Sequence, residues 1–260
     1  MSQDCLFAPD SVTWRVHADG AMLIGGLRAL LMQPLHPEAM AGFAVHSRFR
    51  EESWNRLYRT AEYVGTVTYG SIAEAEQAIE RVRMVHRKLG LDRPDLLLWV
   101  HCALTDSFLE AARRSKMPMT EADADQYVRE MVLFAKAVGT PVDDVPTSAS
   151  ELTQYFEQVR PQLGITSEAK QVVRFIVLPP MPGWVRWATP AMGSWAAVAM
   201  LAASSMPRWA RDMYSWPTLP GHDLATDFWL RGLRSTVMAI PPKFREGPHL
   251  KDARVRLQLT

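Results

Sequence analysis

The chain has 260 residues, enough for one large domain or two small ones, and either arrangement can bury a hydrophobic core. Its 29 Lys and Arg against 28 Asp and Glu give a net charge of +1, with charged residues at 22%. This balance argues against nucleic acid and anionic lipid as partners, because both bind basic surfaces. Two cysteines, Cys5 and Cys102, are too few for a disulfide scaffold or a four-thiolate metal site, and they fit a reducing cytoplasm.

The sequence also predicts where the protein resides. Residues 1–9 lack a basic segment followed by an apolar one, so no secretory signal is expected and a cytoplasmic location is predicted. The most apolar stretch, Ala191 to Met206, contains three serines and is shorter than the roughly 20 residues of a transmembrane helix. We therefore expect no transmembrane segment, and we expect this stretch to form a buried or membrane-surface helix.

Apolar residues recur with a period near 3.6 along most of the chain, and alternating runs are scarce, which predicts an all-α protein. Ser71 and Glu74 form a capping-box sequence and Gly90 suits a helix C-terminus, so a helix is predicted over 71–89. Pro94 suits the first turn of the next helix. Further helices are predicted over 94–114, 121–138, 148–160 and 167–178.

Residues beyond 178 break this helical pattern repeatedly. Prolines and tryptophans cluster there: Pro179, Pro180, Pro182, Trp184, Trp187 and Pro190. Their composition predicts a proline- and tryptophan-rich C-terminal cap packed on the helices. Since no internal repeat, low-complexity run or long linker is present, residues 1–260 are expected to form a single helical domain.

The helix over 71–89 carries an unusual residue on its predicted inward stripe. The stripe is spaced by three and four residues: Ile72, Ala75, Ile79, Val82, His86 and Leu89. An unpartnered buried polar group costs on the order of 1 to 3 kcal/mol, so His86 needs a hydrogen-bond partner or a metal. His101, in the apolar stretch 96–104, is a second histidine directed at the core. Both residues also fit a structural role as hydrogen-bonded core histidines.

The segment 54–67 combines an apolar stripe with a polar face about 100° wide. The polar face holds Arg56, Arg59, Thr60 and Tyr63. Two guanidinium groups and a hydroxyl there could bind an anion such as a carboxylate or a propionate. An ordinary solvated helix face is an equally good interpretation.

Other motifs are weaker. No nucleophile elbow, phosphate-binding loop or dinucleotide fingerprint is present. Gly25-Gly26 is predicted to end a short helix or form a turn, and His36 and His46 are predicted as turn or surface residues. Cys102 is predicted to be a core thiol, because its neighbour His101 points about 100° away on a helix.

Several segments in this order resemble a known family over roughly residues 11–240. They are Trp14-Arg15-Val16-His17, Gly25-Gly26, the Leu30 to Pro37 run, His46-Ser47-Arg48-Phe49-Arg50, Arg56-Leu57-Tyr58-Arg59-Thr60, Val82-Arg83-Met84-Val85-His86 and Leu98-Trp99-Val100-His101. In order and spacing the chain resembles the rubber oxygenase (latex clearing protein) and MpaB-type oxygenase catalytic domain family.

This resemblance implies an all-helical protein that carries heme b and uses it with dioxygen. It implies that His86 is the proximal iron ligand, with Arg83 and His101 in the surroundings of the cofactor. Arg56, Arg59 and Thr60 match the family's R-x-x-K-T segment on the distal side and are the implied catalytic residues. Arg59 replaces a lysine that can ligate iron, and since a guanidinium stays protonated, that closed state is not expected here.

The expected function is that of a heme b-dependent oxygenase or oxidoreductase acting with dioxygen on a small hydrophobic or aromatic metabolite. A heme oxidase or dehydrogenase of a natural-product pathway is the closest alternative. A non-catalytic protein that binds heme or an apolar ligand is another, and so is a hydrolytic or structural helical protein with core histidines. The sequence does not specify the substrate or the oligomeric state.

Overall fold

The computed structural model describes residues 4–44, 49–179, 183 and 189–259, and the side chains of these residues outside 41–57. Every regular element within these ranges is a helix, and none is a strand. The all-α fold class predicted from the periodicity is therefore confirmed.

The helices follow one another with short connections. They are α1 Val12–His17, α2 Met22–Met32, α3 Pro37–Ala44, α4 Phe49–Tyr69, α5 Ile72–Leu89, α6 Pro94–Arg114, α7 Glu121–Val138, α8 Ala149–Val159, α9 Ser167–Val177, α10 Ala191–Ser204, α11 Arg208–Met213, α12 His222–Ala239, α13 Pro242–Arg245 and α14 Pro248–Arg256. Three single-turn 3-10 helices lie at Gln33–Leu35, Val142–Asp144 and Arg160–Gln162.

Local chemistry sets the ends of α5 as the sequence predicts. The Ser71 hydroxyl accepts a hydrogen bond from the Glu74 backbone N–H at 3.3 Å. The Glu74 carboxylate in turn accepts from the Ser71 backbone N–H at 2.8 Å, which completes a capping box. Gly90 ends the helix with φ of 62°, a left-handed conformation that glycine adopts without strain.

Helices α2 and α6 form the centre of the fold, and α10 packs on the other side of α2. Gly25 and Gly26 lie inside α2, so the prediction that they end a helix or form a turn is wrong. A Cβ on Gly25 would lie 2.5 Å from Cδ1 of Phe108. The glycine is therefore used for close helix packing, which overrides its low helix propensity.

The C-terminal region is more regular than its prolines predict. Pro180, Pro182, Trp184 and Trp187 lie outside the described residues, but from residue 191 the chain continues in helices. Helix α10 packs against α2, α9 and α12, with Ala199 and Ala202 fully buried. The apolar stretch is therefore a one-sided packing helix rather than one buried all round. Among the helices that the structure describes, none is long and apolar enough to cross a membrane.

Arginines from three helices converge on the C-terminus of α10. Buried Arg211 donates through Nη1 to the carbonyls of Ser204 at 2.7 Å and Met206 at 3.0 Å. Arg28 Nε and Arg114 Nη1 both donate to the Ser205 carbonyl, at 3.2 Å and 3.1 Å. These cations satisfy carbonyls left open at the helix end and complement its negative dipole, which ties α2, α6, α10 and α11 together.

Candidate functional site

The candidate site lies on a hairpin of α4 and α5, which pack against each other after a connection at Gly70 and Ser71. A short connection makes the two helices antiparallel, so positions equally far from it lie level. Arg59 is 11 residues before Gly70 and Val82 is 11 residues after Ser71. The level of His86 is accordingly that of the polar residues near the start of α4.

The inward stripe of α5 is the less exposed face, as predicted. Ala75 is fully buried, and Ile79, Val82, His86 and Leu89 are half-buried. The apolar side chains that precede His86, by contrast, are exposed: Met84 by 53% and Val85 by 48%. The helix therefore places the imidazole of His86, and not its apolar neighbours, on the face turned to the protein.

His86 has an unsatisfied polar atom inside the protein. Its Nδ1 is buried and has no hydrogen-bond partner among the residues that the structure describes. Burial lowers the pKa of His86, an effect opposed by the negative charge of Asp92. A lowered pKa keeps the imidazole neutral at pH 7, and a neutral ring nitrogen is the form that ligates metals.

The polar face of α4 becomes progressively more buried along the helix. Arg59 is exposed, Thr60 and Tyr63 are half-buried, and Val67, one turn further on, is fully buried. The Tyr63 hydroxyl is buried without a partner among the described residues, and its ring centroid lies 6.2 Å from that of Phe134 on α7. Position 56 belongs to α4, but the side chain of Arg56 lies outside the described residues. This face leads from the surface into the core.

The structure places Arg83 and His101 apart from His86 in the described contacts. Arg83 is exposed and lies beside the first turn after α7, where a Cβ on Gly139 would be 3.7 Å from its Nη2. His101 is buried on α6, with Nε2 3.4 Å from the Thr105 hydroxyl of the same helix. Burial lowers the pKa of His101 to about 4. Helix α6 packs mainly against α2, whereas α5 packs against α4 and α7.

Sequence reasoning from periodicity missed His17, the last residue of α1. Its Nδ1 lies 2.8 Å from the Thr68 hydroxyl and its Nε2 lies 3.3 Å from the Tyr127 hydroxyl. Its ring also contacts Phe108 edge-on, with centroids 4.9 Å apart. Burial lowers the pKa of His17 to about 3. Its position four residues after the buried Thr13, on one helix face, was the available signal.

The remaining predicted residues divide into confirmed and corrected ones. Cys102 is a buried core thiol whose pKa is raised by burial, as predicted. His36 occupies a bend but is only 4% exposed and lies against Trp99, so a surface position is wrong for it. His46 lies outside the described residues.

The donor set favours a site with one protein ligand. Within residues 4–44, 49–179, 183 and 189–259 there is no group of three His, Cys, Asp or Glu side chains that could hold a metal ion. The described chain therefore offers no cage made of several protein ligands. A single neutral imidazole suits a group that brings its other ligands with it.

Fold and site together define an all-α protein with a neutral histidine on the inner face of a helical hairpin. The model of the family described as ER-bound oxygenase mpaB/B'/rubber oxygenase, catalytic domain, matches residues 14–239. The chain therefore belongs to this family of oxygenase catalytic domains, as the resemblance indicated. Neither a curated protein nor a solved structure matches the chain.

Proposed function

We propose that this protein is a heme b-dependent oxygenase in which His86 is the axial iron ligand. Its substrates would be dioxygen and a small hydrophobic or aromatic metabolite. The observation that carries the proposal is the buried, unpartnered Nδ1 of His86 on a helix within the matched family segment. An imidazole in that state costs free energy until something binds it.

The residues fit a heme on three counts. The macrocycle supplies four iron ligands, so one protein imidazole is sufficient and no further protein ligand has to converge on the metal. The stripe of α5 around His86 is apolar and half-buried, which suits the ring. Arg59 and the position of Arg56 lie at a similar level of the hairpin, where guanidinium groups would meet propionates or a reacting oxygen.

Within this proposal each residue has a separate role. His86 would hold the iron from α5, where its own carbonyl accepts a hydrogen bond from the Leu91 N–H at 2.9 Å and fixes the helix end. Arg59 and Thr60 would face the open side and stabilise negative charge there. Arg83 and His101 would support the cofactor from its surroundings. Bound heme supplies the dioxygen chemistry, and the protein positions the substrate and excludes water.

Reconstitution with hemin tests the proposal. The full-length protein is expected to bind one heme b noncovalently, with a Soret band, since no C-x-x-C-H motif for covalent attachment is present in the sequence. His86→Ala should abolish or greatly weaken binding. Met84→Ala, on the exposed face of the same helix, is the matched control and should leave the spectrum unchanged.

Two outcomes would contradict this assignment. Stoichiometric heme with an unchanged spectrum in His86→Ala would remove His86 as the ligand, and His101→Ala would then test the other histidine. No heme binding by the folded wild-type protein would reject the cofactor.

A further inference from the structure

The Tyr63 hydroxyl is a second buried group that lacks a partner, and the heme proposal does not use it. Burial raises the pKa of Tyr63 well above its ordinary value, so the hydroxyl stays protonated. A protonated hydroxyl is a hydrogen-bond donor, and leaving it unpaired inside a protein costs about 1 to 3 kcal/mol. The group therefore suits an acceptor supplied from outside the fold.

Aromatic and apolar side chains surround this donor. The Tyr63 ring lies edge-on to Phe134, and Phe134 also contacts Phe7 at 5.4 Å and His17 at 5.9 Å between ring centroids. Val67, one turn along the same face of α4, is fully buried. A ligand that reaches Tyr63 from the exposed end of this face therefore meets an apolar wall with a hydroxyl at its inner end.

Tyr63 is too far from His86 to act at the same atom. Tyr63 is 7 residues before Gly70 and so lies level with Ala78, 7 residues after Ser71. His86 is 8 residues beyond Ala78, and at 1.5 Å per residue this is about 12 Å along the helix. That length accommodates the body of a small organic molecule between the two groups.

We propose that Tyr63 is a specificity-determining residue that donates a hydrogen bond to an oxygen acceptor at the buried end of an otherwise apolar substrate. The inference rests on the proposed function and narrows its substrate class to hydrophobic molecules that carry a carbonyl, ether or hydroxyl oxygen. A pure hydrocarbon would leave the Tyr63 hydroxyl unpaired and would bind less well than an oxygenated molecule of the same shape.

A matched pair of probes tests this recognition directly. Acetophenone carries a carbonyl oxygen, and α-methylstyrene has the same shape with a methylene group in its place. The ratio of their dissociation constants is measured by ligand-observed NMR titration on the full-length protein and on Tyr63→Phe. The variant should lower the preference for acetophenone about tenfold, the equivalent of one hydrogen bond. Tyr58→Phe, on the exposed side of the same helix, should leave the ratio unchanged.

Thermal unfolding gives an independent readout. Tyr63→Phe removes an unpaired buried hydroxyl, so the Tm of the ligand-free protein should stay equal or rise. A lower Tm would show that the hydroxyl is already satisfied within the fold and would overturn the proposal. An unchanged probe ratio, or no acetophenone binding at all, would also overturn it.

Failure of the heme proposal can be told apart from failure of this one. The probe ratio is measured without reference to a Soret band, so a protein that binds no heme can still show or lack the Tyr63 effect. If Tyr63→Phe instead weakens heme binding and leaves the probe ratio intact, the hydroxyl serves the cofactor and substrate recognition is excluded.

Discussion

Gly25 and Phe108 define the closest approach of α2 to α6. A Cβ on Gly25 would lie 2.5 Å from Cδ1 of Phe108 and 3.2 Å from its Cα, and the second atom is backbone that cannot rotate away. Gly26, the next residue of the same helix, has far more room, because its Cβ would lie 3.9 Å from the Phe108 ring. Two adjacent glycines in α2 therefore have different functions.

Alanine substitutions at these two glycines should change stability in opposite directions. Gly25→Ala should lower the free energy of unfolding by about 1 to 2 kcal/mol, because overpacking exceeds the gain in helix propensity. Gly26→Ala should raise it by about 0.5 to 1 kcal/mol, since alanine favours helix and little opposes it. Urea unfolding of both variants measures the difference. Equal effects at the two positions would refute the close-packing explanation.

These glycines show why the sequence predicted most helix ends but not their packing. Ser71 with Glu74, and Gly90, act within one helix, so residue types at fixed spacing were sufficient to predict α5 within a residue of its bounds. The role of Gly25 depends on Phe108, 83 residues away, and no local pattern encodes that contact. The helices after residue 190 were missed for a related reason, because prolines there start helices instead of ending them.

Arg211 should be among the most sensitive charged residues of the fold. Arg211→Met leaves two carbonyls at the end of α10 without their donor and removes the partner of Asp223, 3.3 Å away. The free energy of unfolding should fall by about 3 kcal/mol. Arg208→Met, on the same helix with an exposed pair to Asp212, is the control and should have little effect. Comparable losses in both variants would contradict a specific role for the α10 cluster.

His101 should make the protein less stable in acid. Its pKa is lowered to about 4 in the fold from 6.5 for an unperturbed histidine, so the unfolded chain binds more protons between these values. Stability is therefore full above pH 6.5 and is lost as the pH falls towards 4. His101→Gln removes this one proton, and its unfolding free energy should fall less steeply by about 1.4 kcal/mol per pH unit in that range. Parallel pH profiles for the two proteins would show that His101 titrates normally.

The candidate site was predictable in part, and the reason is again one of range. His86 follows from the spacing of a single helix, and its buried Nδ1 agrees with that argument. The burial gradient from Arg59 to Tyr63 could not be predicted, because it depends on α7 supplying Phe134 against α4. His17 is invisible to periodicity for the same reason, since its partners Thr68 and Tyr127 come from two other helices.

Arg59 should affect turnover more than cofactor binding. It is exposed on the polar face of α4, so Arg59→Ala should fold normally and keep its heme. Loss of one charge-stabilising donor should reduce dioxygen consumption on the order of 100-fold with hydrophobic or aromatic substrates. Arg129→Ala, an exposed arginine of α7 that donates to Gln126, is the matched control. Loss of heme in Arg59→Ala would indicate a propionate contact instead, and full activity would assign the residue to an ordinary solvated face.

Ligand access to the iron should separate an oxygenase from a heme carrier. An oxygenase leaves the side opposite its axial histidine open, whereas carriers and electron-transfer proteins commonly fill both axial positions with protein ligands. The sequence from Arg56 to Tyr63 contains no methionine or histidine, and Arg59 stays protonated, so this segment offers no sixth ligand. Heme-loaded, reduced protein should therefore bind carbon monoxide readily with a shift of the Soret band, and His86→Ala supplemented with imidazole should recover that shift. A six-coordinate low-spin ferric spectrum with slow carbon monoxide binding would favour a carrier, and carbon monoxide binding without dioxygen consumption on any substrate tested would favour oxidase or peroxidase chemistry.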